Sequence, residues 1–166
     1  MTDDRKDHGV FFGCRTGSRV LIMPEPVGEY PDYDWLSVLI DVAKAEARDL
    51  GVAFSFAVVD SRADLLYFER QPEAPLYTCL LSQDKAYTAG RTGRSTSDWS
   101  EMLPHDLVVS RDLMALERFV PLPGGEPISL KGRHLGALGV SGGTWRQDVA
   151  VARSAVASLR NFDQQV

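Results

Sequence analysis

Residues 132–148, Gly-Arg-His-Leu-Gly-Ala-Leu-Gly-Val-Ser-Gly-Gly-Thr-Trp-Arg-Gln-Asp, constrain this chain more than any other stretch. Glycines at 136, 139, 142 and 143 interrupt an apolar, β-prone run just before a helical pattern begins. A glycine inside a strand forfeits side-chain packing, so it marks a bulge or the close approach of another backbone. A Ser-Gly-Gly turn ahead of a helix also leaves main-chain N–H groups pointing outward, which suits an anion or a polar ligand edge. Two readings follow. Either the glycines admit a ligand, or they only permit tight strand–helix packing.

Apolar periodicity supplies the rest of the frame. Leu36, Leu39, Ile40, Ala43, Ala47 and Leu50 recur at helical spacing, with Asp32 or Asp34 placed to cap the start and Gly51 to end it. Two β-runs, 53–60 and 64–70, joined by Ser-Arg-Ala, predict a hairpin. Helix returns from Leu76 to about Gly90, then over 97–103 with Thr96 or Ser97 as cap, and over 111–117. The stretch 121–127 is turn-rich and leads into paired strands over 128–131 and 134–141. A last helix over 145–159 aligns Val149, Ala152, Val156 and Leu159. Strands grouped in pairs around helix blocks, without regular β-α alternation, predict an α+β sandwich: a central antiparallel sheet with helices packed on it.

Ahead of this body, residues 9–13 and 19–23 predict an extra hairpin, and the three prolines of 24–31 a linker. The expected organisation is therefore an N-terminal extension over 1–34 and one domain over 35–166. The hairpin is expected to cover a sheet edge or a subunit interface.

A formal net charge of −5 disfavours nucleic acid, which requires a clustered basic surface. No apolar run reaches membrane-spanning length and the N-terminus is acidic and polar, so a soluble, cytoplasmic protein is expected. Cys14 and Cys79 are too few for a disulfide framework and are expected as reduced thiols.

Lys85 lies in Ser-Gln-Asp-Lys-Ala-Tyr, with apolar neighbours on one side. Burial would lower its pKa and suit it to carboxylate binding, Schiff-base chemistry or proton transfer; the plain alternative is a snorkelling surface lysine. Arg91 and Arg94, in a polar Gly-rich connection, have the guanidinium fork that grips carboxylates. Asp60 and Arg70 close consecutive strands and, if those strands pair, fall near opposite ends of the hairpin, so a direct salt bridge between them is not to be assumed. With Ser141 these side chains form a candidate acid–base cluster. Of the three histidines, His105 and His134 are candidate haem-iron ligands, as are Cys14 and Met23, although no metal-site spacing joins the histidines. Gly139-Val-Ser141-Gly-Gly143 matches a nucleophile elbow in form, but no histidine follows residue 134 to complete a triad.

Several pieces in order, Ala-Lys-Ala-Glu-Ala-Arg-Asp-Leu-Gly-Val, Ala-Val-Val-Asp, Leu-Leu-Tyr-Phe-Glu-Arg, Asp-Lys-Ala-Tyr-Thr-Ala, Gly-Arg-Ser-Thr-Ser, Pro-Leu-Pro-Gly-Gly-Glu-Pro-Ile and Gly-Ala-Leu-Gly-Val-Ser-Gly-Gly, resemble one family. It is the haem-binding protein family typified by the glycolate-operon G protein and HbpS, and the resemblance covers residues 35–160. It implies a PAS- or profilin-like two- or three-layer sandwich, assembly into homo-oligomers, and haem or a tetrapyrrole as ligand. By position it carries over onto Asp60, Arg70, Lys85, Arg94, Thr96, Gly124, Gly125, Gly142, Gly143 and Asp148. The segment 101–119 departs from the family's Gly-Gly-Pro pattern, and residues 1–34 have no counterpart in it. Three functions follow as expectations: a small-ligand binder, foremost of haem; a cofactor-free enzyme acting on a carboxylate or carbonyl substrate; or a non-catalytic accessory subunit.

Overall fold

Alternation along the two central strands divides the core into two unequal faces, and that division positions everything else. A computed structural model of the chain describes residues 33–162, all within a compact unit that begins at Asp32. The hairpin expected over 9–23, the linker, Cys14 and Met23 lie outside the described residues.

In chain order the elements are α1 (Asp34–Leu50), β1 (Ser55–Asp60), β2 (Leu65–Arg70), α2 (Thr78–Thr92), α3 (Thr96–Met102), a 3-10 turn (Leu103–His105), α4 (Leu107–Met114), β3 (Gly125–Leu130), β4 (Arg133–Ser141) and α5 (Trp145–Phe162). The strands form one sheet in the order β2-β1-β4-β3, and every neighbouring pair is antiparallel. This is the expected α+β architecture.

Phe56 and Val58 of β1, Ile128 of β3 and Leu138 and Val140 of β4 face α1 and α5, and meet Trp35, Leu39, Ala43, Val151 and Ala155 in the main core. Each large apolar side chain buried there contributes about 1.5–3 kcal/mol. The opposite face is built from small residues, Ala57, Val59 and Ala137, against Ala86 and Ala89 of α2. Small side chains let α2 lie almost directly on the strands. At Gly139 an added Cβ would stand 2.0 Å from the Ser82 carbonyl oxygen and 2.6 Å from the Ala86 nitrogen. The packing role is therefore the one observed for that glycine.

Several boundaries differ from the sequence reading, each for a local reason. Asp34 is the first helical residue of α1 rather than its cap, the cap position being Tyr33. The second helix ends at Gly93, in the left-handed conformation with φ 63°, rather than at Gly90. Gly90 stays inside the helix, where a Cβ would come 2.8 Å from Val59. Ser95, not Thr96 or Ser97, caps α3 by accepting from the Asp98 N–H. Thr96 is turned away, its Oγ1 accepting from the Gly125 N–H at 2.8 Å. Asp106 caps α4 through the Val109 N–H and so starts that helix four residues earlier than its apolar pattern suggests. Finally, β3 begins at Gly125 and includes Pro127, which the sheet tolerates because β3 is an edge strand. No helix among the described residues is long and apolar enough to cross a membrane.

Candidate functional site

Helix α2 delivers Lys85 to the end of the sheet where β4 runs out towards α5. Its Nζ donates to the Asp148 Oδ2 at 2.6 Å and to the Val140 carbonyl at 2.9 Å. Lys85 is only 2% exposed and Asp148 4%, so the pair ties the α2 layer to the α5 layer through the interior. Burial pushes the Lys85 ammonium below its ordinary value, against the opposing pull of Asp148. Burial likewise pushes the Asp148 carboxyl up, opposed by the Lys85 charge and by N–H donation from Gly143 and Gly142. Gly124 leaves the space this node needs, since a Cβ there would sit 3.0 Å from Lys85 Nζ.

The Ser-Gly-Gly turn thus does hold an anion, but the anion is the chain's own. Asp148 Oδ1 accepts from the Gly143 N–H at 3.1 Å. Lys85 is neither the snorkelling surface lysine nor an amine presented to solvent: its charge is committed to a closed internal node. Its partner stands 63 residues away in the chain. Only the family resemblance singled out Asp148; its local signal is an acid in the first turn of the helix that follows the Ser-Gly-Gly turn.

The proposed acid–base cluster is not assembled. Asp60 lies opposite Gly136, four residues along β4 from Val140, or roughly 13 Å at strand rise. There its Oδ1 accepts from the N–H groups of Arg62 and Asp64 and shapes the hairpin turn. Arg70, across from Ser55 at the hairpin's other end, donates to the carbonyls of Pro72 and Ala74 and holds the following loop. Asp60 and Arg70 are indeed apart, as the hairpin reading required. Ser141 ends β4 opposite Ser55, whose hydroxyl is bonded to Thr78 at 2.7 Å.

Of the cationic candidates, Arg91 is exposed in the last turn of α2. Arg94 lies 5.8 Å over the Trp99 ring and 3.8 Å from the Met102 sulfur. Thr96 is a strut between α3 and β3. His134 has its Nε2 2.9 Å from the Gly90 carbonyl, tying β4 to the end of α2. His105 is exposed on the 3-10 turn and makes no side-chain hydrogen bond among the described residues. Exposed apolar side chains flank it in the chain, among charged ones such as Asp106 and Arg111. Met102, Leu107, Val108, Val109 and Met114 are all exposed, and α4 has no buried residue.

Fold and site together define a three-layer α+β domain with a sealed ionic tie inside and with Arg94, His105 and several apolar side chains exposed on the α3–α4 side. The chain belongs to the HbpS-like family, described as haem degrading protein HbpS-like, whose model matches residues 33–157. It is 33% identical over 119 residues to an uncharacterized 15.0 kDa protein of the dhaT-dhaS intergenic region of Citrobacter freundii, covering 71% of this chain and 84% of that one. It is 32% identical over 105 residues to protein GlcG of Escherichia coli K12, covering 63% and 76%. The solved PduOC:heme complex matches with a TM-score of 0.71 at 27% identity, over 76% of this chain and 93% of that chain. The family resemblance read from the sequence is thereby established.

Proposed function

We propose that this protein binds haem or a related tetrapyrrole through the surface of the 3-10 turn and α4. The observation that carries this reading is the match to a domain solved as a haem complex, at a TM-score of 0.71 over 93% of its chain. The residues present fit the group. His105 presents an imidazole with no side-chain hydrogen bond among the described residues, the ligand type that holds haem iron in many proteins. Met102, Leu107, Val108 and Val109 are exposed apolar side chains of the kind a macrocycle covers. Arg94, against Met102, and Arg111 on α4 supply guanidinium groups for propionates. Haem would bring an iron centre with a coordination position for a small ligand; the chain's own part is to ligate, orient and shield.

His134 serves the fold in this reading, because its Nε2 is engaged by Gly90. Apolar exposure at Leu76, Tyr77 and Leu80, near the start of α2, supports homo-oligomerisation through a different surface.

The test is a hemin titration followed by absorbance, with wild type, His105→Ala and His134→Ala. A saturable Soret band kept by His134→Ala and lost or shifted in His105→Ala supports the proposal. A flat wild-type titration overturns haem binding, and a band unchanged in His105→Ala overturns the assigned ligand.

A further inference from the structure

Between the α2–α3 turn, the edge strand β3 and helix α5 lies an open cleft of about 440 Å³. That volume is within the range of small-molecule sites, roughly 300–1,000 Å³. Its walls carry Arg94 and Ser95 from the turn, Asp98 from α3, Glu126 from β3 and Arg153 from α5. We propose that this cleft binds a small zwitterion, of which free amino acids are the simplest, with its carboxylate on the guanidinium groups and its ammonium on the two acids.

The charge arrangement carries the assignment. Two arginines and two carboxylates face one cavity, so a ligand bearing both signs is the neutral complement, whereas a simple anion or cation leaves one pair uncompensated. Capacity for further bonds is present on both signs. Arg153 uses its Nε on the Glu126 Oε1 at 3.0 Å, its side chain is 58% exposed, and its terminal nitrogens make no hydrogen bond among the described residues. Arg94 makes no ion pair there; it rests on Trp99. The Glu126 side chain is only 13% exposed and, among the described residues, accepts on one oxygen alone. Asp98 acts electrostatically on it from across the cleft. A carboxylate held this deeply on an edge strand contributes little to stability when its cationic partner is solvated, because desolvation offsets the attraction. A recognition role accounts for its placement, since a ligand ammonium can bridge the two acids.

The cleft shares Arg94 with the haem reading, but its test rests on Glu126 and Arg153, which that reading does not use, so the failure of either is distinguishable from the failure of the other. The experiment is calorimetry on the full chain with glycine, L-serine, L-glutamate and L-lysine as probes, and with acetate and ethylamine as single-charge controls. We expect saturable binding of at least one zwitterion, with both controls much weaker. Each charge-assisted bond lost should weaken binding about 10- to 100-fold, so Glu126→Gln and Arg153→Gln should each do so. Far-UV circular dichroism verifies their folding, and Arg153→Lys, which keeps the charge but loses the fork, should fall in between. No saturable heat with any zwitterion up to about 10 mM, weaker than millimolar affinity, overturns the proposal. Undiminished binding in both folded glutamine variants, or equal binding of acetate, overturns it too.

Discussion

Replacing Asp148 by Asn preserves volume while removing the carboxylate that neutralises Lys85. The ammonium, 2% exposed, would keep only uncharged acceptors, the Val140 carbonyl at 2.9 Å and the new amide oxygen. Breaking a buried ion pair by deleting one partner costs about 3–5 kcal/mol, because an uncompensated charge stays inside. Against a typical domain stability of about 5–15 kcal/mol, Asp148→Asn should remove at least about a fifth. At roughly 2–4 °C per kcal/mol for a chain of this size, the melting temperature should fall by about 6–20 °C. Lys85→Met differs in its pH dependence. It leaves a carboxyl whose folded-state pKa already lies above the ordinary 3.8 because of burial, and losing the cation raises it further. A raised folded-state pKa gives stability that is complete below the unfolded value and lost as pH rises through the folded one. Lys85→Met should therefore be least penalised near pH 4 and increasingly penalised towards neutrality. Replacing both residues, Lys85→Met with Asp148→Leu, should recover much of the loss, since no charge is left buried. With the Asp148→Leu single variant added to close the cycle, urea unfolding of wild type, the two singles and the double across pH gives the coupling energy. A loss under about 1 kcal/mol in Asp148→Asn, or strictly additive single effects, would refute a buried, ionised tie.

Gly139→Ala should destabilise by about 1–3 kcal/mol or more through overpacking, because its Cβ meets backbone atoms of α2 at 2.0 and 2.6 Å; chemical denaturation checks it. Leu39→Ala, at a fully buried position in α1, should cost about 2–5 kcal/mol, and a melting temperature within a degree of wild type would contradict the core assignment. Glu126 has its pKa raised chiefly by burial, with Arg153 opposing and Asp98 adding to the rise. Its contribution is full below about 4.5 and declines as pH increases. Thermal melts should accordingly show the stability of Glu126→Gln improving relative to wild type from pH 4 to pH 7. Thr96→Val should loosen the contact of α3 with β3 and cost about 1–3 kcal/mol, since it leaves the Gly125 N–H without its acceptor; faster amide exchange at Gly125 would report it.

Local pattern carries far in this chain, and it stops at particular residues. The helix of Leu39, Ala43 and Ala47 is legible because one face of a 3.6-residue period meets the core. The hairpin of β1 and β2 is legible because its turn is made by Asp60 and its own near neighbours. The α3 cap is not, because Ser95, Thr96 and Ser97 are chemically equivalent until β3 claims the Thr96 hydroxyl. Gly90 and Gly93 look alike as helix terminators until Val59 fills the space beside Gly90.

The candidate site divides in the same way. Lys85, Arg94 and the Ser-Gly-Gly turn stand out by residue type and local context, and the family by several motifs in order. Residue type alone did not couple Lys85 to Asp148, 63 positions on, or gather Asp98, Glu126 and Arg153 around one cleft. By itself, then, the sequence determined the layered α+β class and most helices and strands, since periodicity, caps and turns act within a few residues. Tertiary structure alone decided which charges are sealed and which face solvent. That outcome depends on how closely α2 approaches the sheet, and on side chains brought together from opposite ends of the domain.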